Sequence, residues 1–155
     1  MKGNEAIIKK LNDLLSDELT AVNQYMVHSE MCDNWQYEKL AGADEKRAID
    51  EMKHAERLIG RILFLEGIPV VSRLGEIHIG ASVPEQHEND RVAEEGAIKS
   101  YNEGIRLAVE VGDNGSRDLM ESILGDEEAH IDWLEAQLDQ IGQMGVQTYL
   151  VEQLG

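Results

Sequence analysis

Between Glu5 and Asp33, apolar residues fall at Ile7, Ile8, Leu11, Leu14, Leu15, Val22 and Tyr25, the three-and-four spacing of one helical face. Glu18 interrupts that stripe at mid-length, and no Lys or Arg lies in the nearest turns to neutralise it. A carboxylate on a buried face is costly unless paired or protonated, so its partner must come from elsewhere in the fold. Asp33-Asn34 reads as a turn, and 35–65 as a second helix ended by Gly67 and Pro69. Its inward stripe runs through Leu40, Glu51, His54, Ala55, Leu58, Ile62 and Leu65. A second stripe, Ala48, Ile49, Met52, Ile59 and Leu63, is rotated from the first and suits a partner subunit. The connection 67–81 carries Pro69, Gly75 and Gly80. Extended, it reaches roughly 50 Å, against about 42 Å for a helix of some 28 residues, so the flanking helices can run parallel. A short strand at Ile77 to Ile79 is expected within it. Ser82-Val83-Pro84-Glu85 opens a third helix, 82–111, as a capping box, and Gly112 closes it. On that helix Glu94 shares a face with Ile98, Tyr101, Ile105 and Ala108, whereas Glu95 points about 100° away. Ser116 is expected to cap a fourth helix, 116–144, with Met120, Ile123, Glu127, His130, Leu134, Leu138 and Ile141 inward. A fifth helix over 146–153 is too short to stand without docking. The pattern predicts one all-α domain over 1–155: a four-helix bundle with one long crossover and a short C-terminal fifth helix.

The polar interruptions are themselves patterned. Glu51 and His54, three apart, share a helical face, and the same pair recurs once, as Glu127 and His130. Glu18 stands 33 positions before Glu51, and Glu94 stands 33 before Glu127. A shift of 76 positions carries Glu18 to Glu94, Glu51 to Glu127 and His54 to His130, an internal duplication of chemistry. Two Glu-x-x-His pairs plus one Glu from each of two further helices form the ligand set of a carboxylate-bridged two-metal site. Four carboxylates brought together cannot all stay ionised without cations, and two divalent ions balance them. The expected assignment has Glu51 and Glu127 bridging, Glu18 and His54 completing one metal, and Glu94 and His130 the other. Mixed oxygen and nitrogen donors with open positions suit iron or manganese, and zinc by affinity order. A pair of Fe(II) ions can each give an electron to dioxygen or hydrogen peroxide, which is ferroxidase chemistry.

Charge narrows the partners. With 14 Lys and Arg against 31 Asp and Glu, the net charge of −17 argues against nucleic acid, which needs a cationic face, and points to cations as guests. The single Cys32 has no partner for an internal disulfide, as expected of the reducing cytoplasm. Met1-Lys2-Gly3-Asn4 leads into an amphipathic segment and not an apolar one, so no signal peptide is expected. The most apolar patch, Ile62 to Val71, is too short and too interrupted to span a membrane.

Met1-Lys2-Gly3, the stretch Ile49 to Ala55, Arg61 to Gly67, and Asp126 to Glu135 with His130-Ile131-Asp132-Trp133-Leu134 resemble bacterioferritin, over essentially the whole chain. The resemblance implies a ferritin-like bundle and a hollow shell of about 24 subunits, a 24-mer with octahedral symmetry. It also implies a di-iron ferroxidase centre in each subunit, a stored ferric mineral, and a redox partner that drives iron release. Finally, it implies haem b between two-fold-related subunits, each giving one methionine sulfur to the iron. Met52 matches that position, with Leu19, Asn23, Met26 and Ile49 as plausible neighbours. Read from the residues alone, Met52 is gap filler or interface packing. Many members have Tyr and His where this chain has Glu45 and Lys46, the His serving an inner-surface iron site with the residue matching Asp50. Lys46 is no ligand for Fe(II), so that site is in doubt here. Tyr25 and Trp133 match aromatics near the centre in relatives, where packing is the plainer role and electron supply the sharper one. His28, His78 and His87 have no evident partners and read as surface residues. Two other readings use the same residues: a di-iron peroxidase or di-manganese catalase without a shell, and a helical scaffold whose polar layer sets register.

Overall fold

Asn4 opens α1 (Glu5–Asn34) by accepting the N–H groups of Ala6 and Ile7 on its side-chain oxygen. The computed structural model, which describes all 155 residues, continues with α2 (Glu38–Phe64), α3 (Val83–Val111), α4 (Asn114–Met144) and α5 (Val146–Val151). The chain is all-α, with four long helices and a short fifth, as the periodicity predicts.

Helix ends differ from expectation where capping overrides pattern. α1 runs through Asn34, and α2 starts at Glu38, not Trp35. Gln36 adopts φ 65, which lets the Tyr37 N–H return to Cys32 O at 2.9 Å and the Gln36 N–H to Asp33 O. The same motif ends α2: Glu66 takes φ 63 and the Gly67 N–H bonds Ile62 O at 2.8 Å. Gly67 is there for close approach, since a Cβ would lie 2.7 Å from Ile8 Cγ2. Ser82 caps α3, while Glu85 reaches back to the Ala81 N–H. Asp113, not Ser116, caps α4: it accepts both the N–H and the hydroxyl of Ser116. α5 ends two residues short of the expected 153 and docks through Tyr149, which is fully buried and donates to Gln137 Oε1 at 2.7 Å.

α1 packs chiefly on α2, and α3 on α4. The Met1 amino group reaches Phe64 O, and Arg61 pairs with Asp113 at 2.8 Å, so the end of α2 meets both the start of α1 and the end of α3. α2 and α3 therefore run parallel, joined by the crossover. The expected strand at Ile77 to Ile79 is absent, because the crossover backbone spends its hydrogen bonds on α1. Asn12 binds Ile68 O and the Val70 N–H, Ser16 donates to Arg73 O, Thr20 accepts from Gly75, Gln24 from His78, and His28 Nε2 from Gly80. Residues 12, 16, 20, 24 and 28 form one ridge of the helix, about 24 Å long.

A large apolar cluster (Leu11, Leu14, Leu58, Ile62, Met120 and Ile123 among others) fills one end of the bundle, and a smaller one (Cys32, Leu40, Ala41, Val83, Tyr149) the other. Between them lies a layer of buried polar side chains. His28 and His87 belong to that layer and are not surface residues. His28 lies 2.9 Å from Asp90 Oδ1, and His87 Nε2 is 3.0 Å from the Tyr149 hydroxyl. Only His78 is solvent-facing.

Candidate metal centre

Mid-helix positions on α1 to α4 put Glu18, Glu51, His54, Glu94, Glu127 and His130 into one layer, none more than 8% exposed. Potential ligand atoms of Glu18, Glu51, His54 and Glu127 all lie within 4.8 Å of one another, as do those of Glu51, Glu94, Glu127 and His130. Glu51 and Glu127 are common to both groups. Glu127 Oε1 stands 3.1 Å from His54 Nδ1 and 3.8 Å from His130 Nδ1, and Glu51 Oε1 3.7 and 3.1 Å from the same two atoms. One oxygen of each shared carboxylate thus sits between the imidazoles.

Each of the six side chains also keeps one buried polar atom without a hydrogen-bond partner: Glu18 Oε2, Glu51 Oε1, His54 Nδ1, Glu94 Oε2, Glu127 Oε1 and His130 Nδ1. Unsatisfied buried polar atoms are rare in folded proteins, and six converging on one point require an explanation.

The remaining atoms of four of these side chains are tied down, and each tie crosses between the halves of the chain. Tyr101 donates to Glu18 Oε1 and Tyr25 to Glu94 Oε1, both at 2.5 Å. His54 Nε2 lies 2.8 Å from Asp126 Oδ2, and His130 Nε2 3.2 Å from Asp50 Oδ2. A carboxylate on the far nitrogen fixes the imidazole with Nδ1 inward. The shift of 76 positions that relates the six also carries Tyr25 to Tyr101 and Asp50 to Asp126. Sequence reasoning put Tyr25 near the centre by resemblance but gave none of the four this supporting role, although the same shift relates them. Lys46 Nζ stands 3.7 Å from Asp50 Oδ2, so that one oxygen is shared by a lysine and by His130.

Crowded carboxylates shift the local acidities. Burial, then the Glu18 charge, holds Glu51 well above the usual carboxylate range. Burial lifts Glu94 to about 7. Burial opposes charge on His54, but the carboxylates of Glu127 and Glu18 beside it outweigh burial and push its pKa up to about 11. For His130, burial is likewise outweighed by Glu94, and its pKa rises. The cluster's excess negative charge calls for positive charge at its centre.

Beside it lies a second buried ionic group that the sequence did not reveal. Arg47 pairs with Asp44 and, at 2.9 Å, with Asp90, and its guanidinium lies between the rings of Tyr25 (4.5 Å) and Trp133 (5.2 Å). Tyr25 and Trp133 are thus linked through a cation. On the outer face of α2, Met52 is 45% exposed and lines a groove of about 620 Å³ with Met26, Ile49, Val22 and Ala48. Of its expected neighbours, Met26 and Ile49 share that groove.

Residues 8–144 match the family model described as a ferritin-like domain. The chain is 42% identical over 149 residues to the bacterioferritin of Brucella melitensis, covering 96% of this chain and 92% of that one. It is 41% identical over 149 residues to the bacterioferritin of Mycobacterium leprae (96% and 94%) and 40% to that of Rhodobacter capsulatus (96% and 92%). No helix is long and apolar enough to cross a membrane.

Proposed function

The chain belongs to the bacterioferritin family of ferritin-like domains, and on that footing we propose that it stores iron, oxidising Fe(II) to Fe(III) at the six-residue centre and depositing the product as a ferric mineral within a shell of its own copies. The observation that carries this reading is the set of six orphaned atoms. Each side chain holds back one donor atom of the kind that ligates Fe(II), while four of the six have their other atom anchored.

Glu51 and Glu127 bridge the two Fe(II) ions, because one oxygen of each faces both imidazoles. Glu18 and His54 complete one subsite, Glu94 and His130 the other. Four carboxylates against two divalent ions leave the centre neutral, which removes the penalty recorded in the raised pKa of Glu51 and of Glu94. His54 Nδ1 and His130 Nδ1 shed their protons on ligation, and Asp126 and Asp50 keep the rings oriented meanwhile. Two Fe(II) release two electrons. With two protons these reduce dioxygen to hydrogen peroxide, or hydrogen peroxide to two waters.

Shell assembly is part of the reading, supported by apolar side chains left bare on α2, Ile49, Met52 and Leu63. Haem b fits the same face: the groove offers an apolar side and two thioethers, Met26 and Met52, of which Met52 would hold the haem iron together with the same residue of a two-fold copy. Haem held there by Met52 would supply one-electron chemistry for exchange with a redox partner in iron release. A cytoplasmic setting agrees with a lone, buried Cys32 whose thiol burial pushes up to about 12.

Glu18→Ala and Glu94→Ala should each slow Fe(II) oxidation severely while particle size on a sizing column stays unchanged. Wild-type rates in either variant would remove that residue from the ligand set. Met52→Ala should give a shell that oxidises iron yet lacks the haem band, and retained haem would end the axial-ligand assignment.

A further inference from the structure

We propose that Fe(II) enters by the cleft between α1 and α3, with Glu76 and His78 of the crossover forming its mouth and a local two-fold axis running down it to both subsites. The inference rests on the reading of the six residues as the Fe(II) site.

A cavity of about 300 Å³ runs from Glu76 and His78 to the carboxylates of Glu18, Glu51, Glu94 and Glu127. The four floor residues are nearly fully buried, and each carries one oxygen with no hydrogen-bond partner. The cleft stays open because its walls are small: Ala21 on α1, and Ala93, Gly96 and Ala97 on α3. A Cβ added at Gly96 would meet nothing within 4 Å.

The walls repeat as the ligands do. The shift of 76 that relates Glu18 to Glu94 and Glu51 to Glu127 also relates Ala21 to Ala97, and both alanines line the cavity. The cleft therefore lies on the axis that exchanges the two subsites, and an ion descending it reaches either alike. Of the six centre residues it meets the four carboxylates first, because neither His54 nor His130 lines the passage.

At the mouth, Glu76 Oε2 and His78 Nε2 stand 3.4 Å apart, with side chains 89% and 62% exposed. These are the donor types of the interior set, but hydrated and held by two groups only. They can gather a divalent ion without retaining it, and the four buried carboxylates draw it inward. The mouth is fixed over the cleft by bonds on either side of Glu76, Thr20 to the Gly75 N–H and Gln24 to the His78 N–H, and by Asn89 donating to His78 O.

The test is stopped-flow capture of Co(II) by the assembled protein, read from the visible bands of the bound ion. In the double variant Glu76→Gln/His78→Gln, capture should slow by about threefold to tenfold and lose part of its salt dependence, with the final spectrum and stoichiometry unchanged. Ala97→Leu, which narrows the cleft and removes no charge, should also slow capture with the same end point. Glu110→Gln, an exposed carboxylate outside the cleft, should match wild type. A wild-type capture rate in either the mouth variant or the plugged variant overturns the entry route. Failure of the unmutated protein to take up Co(II) would instead sink the metal-site reading beneath it.

Discussion

The outer hydrogen bonds of the centre make a prediction that is unusual in where it places the damage. Tyr101→Phe removes one hydroxyl from the second half of the chain, but the oxygen it abandons, Glu18 Oε1, belongs to the first. Both side chains are essentially fully buried, so no water replaces the lost donor. A buried hydrogen bond to a charged group contributes about 1.5–3 kcal/mol. That corresponds to roughly 10- to 100-fold in affinity at the subsite of Glu18 and His54, the range seen when second-sphere partners of metal ligands are removed. Tyr25→Phe should do the same to the subsite of Glu94 and His130.

A double-mutant cycle on Co(II) affinity isolates the pairing. Tyr101→Phe should add almost nothing in a Glu18→Ala background, where its acceptor is gone, and its full effect in a Glu94→Ala background. Tyr25→Phe should behave in the opposite way. Full additivity of Tyr101→Phe with Glu18→Ala would show that the hydroxyl does not act through that carboxylate, and the cross-half support would fall with it.

Two further expectations concern stability. Arg47→Met leaves Asp44 and Asp90 buried without their cation and should lower stability by about 3–5 kcal/mol in chemical denaturation; a loss below about 1 kcal/mol would mean the carboxylates relax by other means. Burial holds the His87 pKa down to about 4, against an ordinary 6.5, so between those values the unfolded chain binds a proton the folded one refuses. Its contribution is therefore intact above pH 6.5 and is lost as pH falls towards about 4, by up to about 3 kcal/mol. His87→Gln should flatten the acid limb of the stability curve by up to one proton, and an unchanged slope would contradict the burial argument.

What the sequence disclosed follows from what each feature demands of it. The long helices were legible because each buries a stripe whose period is fixed by helix geometry, and the six-residue cluster because ligation requires particular residue types at that period, twice. Gln36 and Glu66 were not legible, since their positive φ is imposed by the closing hydrogen bonds of α1 and α2 at residues that do not favour it. His28 reads as polar and hence exposed; its partners, Gly80 and Asp90, are distant in sequence. The ridge Asn12, Ser16, Thr20, Gln24 and His28 was visible as a spacing, but nothing local said that a loop would be its partner.

The duplication is most informative where it fails. Shifting by 76 positions takes Asp44 to Met120 and Arg47 to Ile123, and takes Leu14 to Asp90. The buried ionic triad thus occupies the place that three residues of the large apolar cluster, Leu14, Met120 and Ile123, hold in the other half. The two proposed subsites have matching side chains in unlike surroundings. Glu94 and His130 border, through Tyr25, a network of two carboxylates and one guanidinium, formally net negative. Glu18 and His54 border, through Tyr101, the large apolar cluster. A buried negative neighbour favours a cation, and an apolar one raises the cost of placing it there. The first Co(II) equivalent should therefore fill the subsite of Glu94 and His130. In a stepwise titration Glu94→Ala should abolish the tighter step and Glu18→Ala the weaker; the reverse order would show that the triad does not set the sequence of filling.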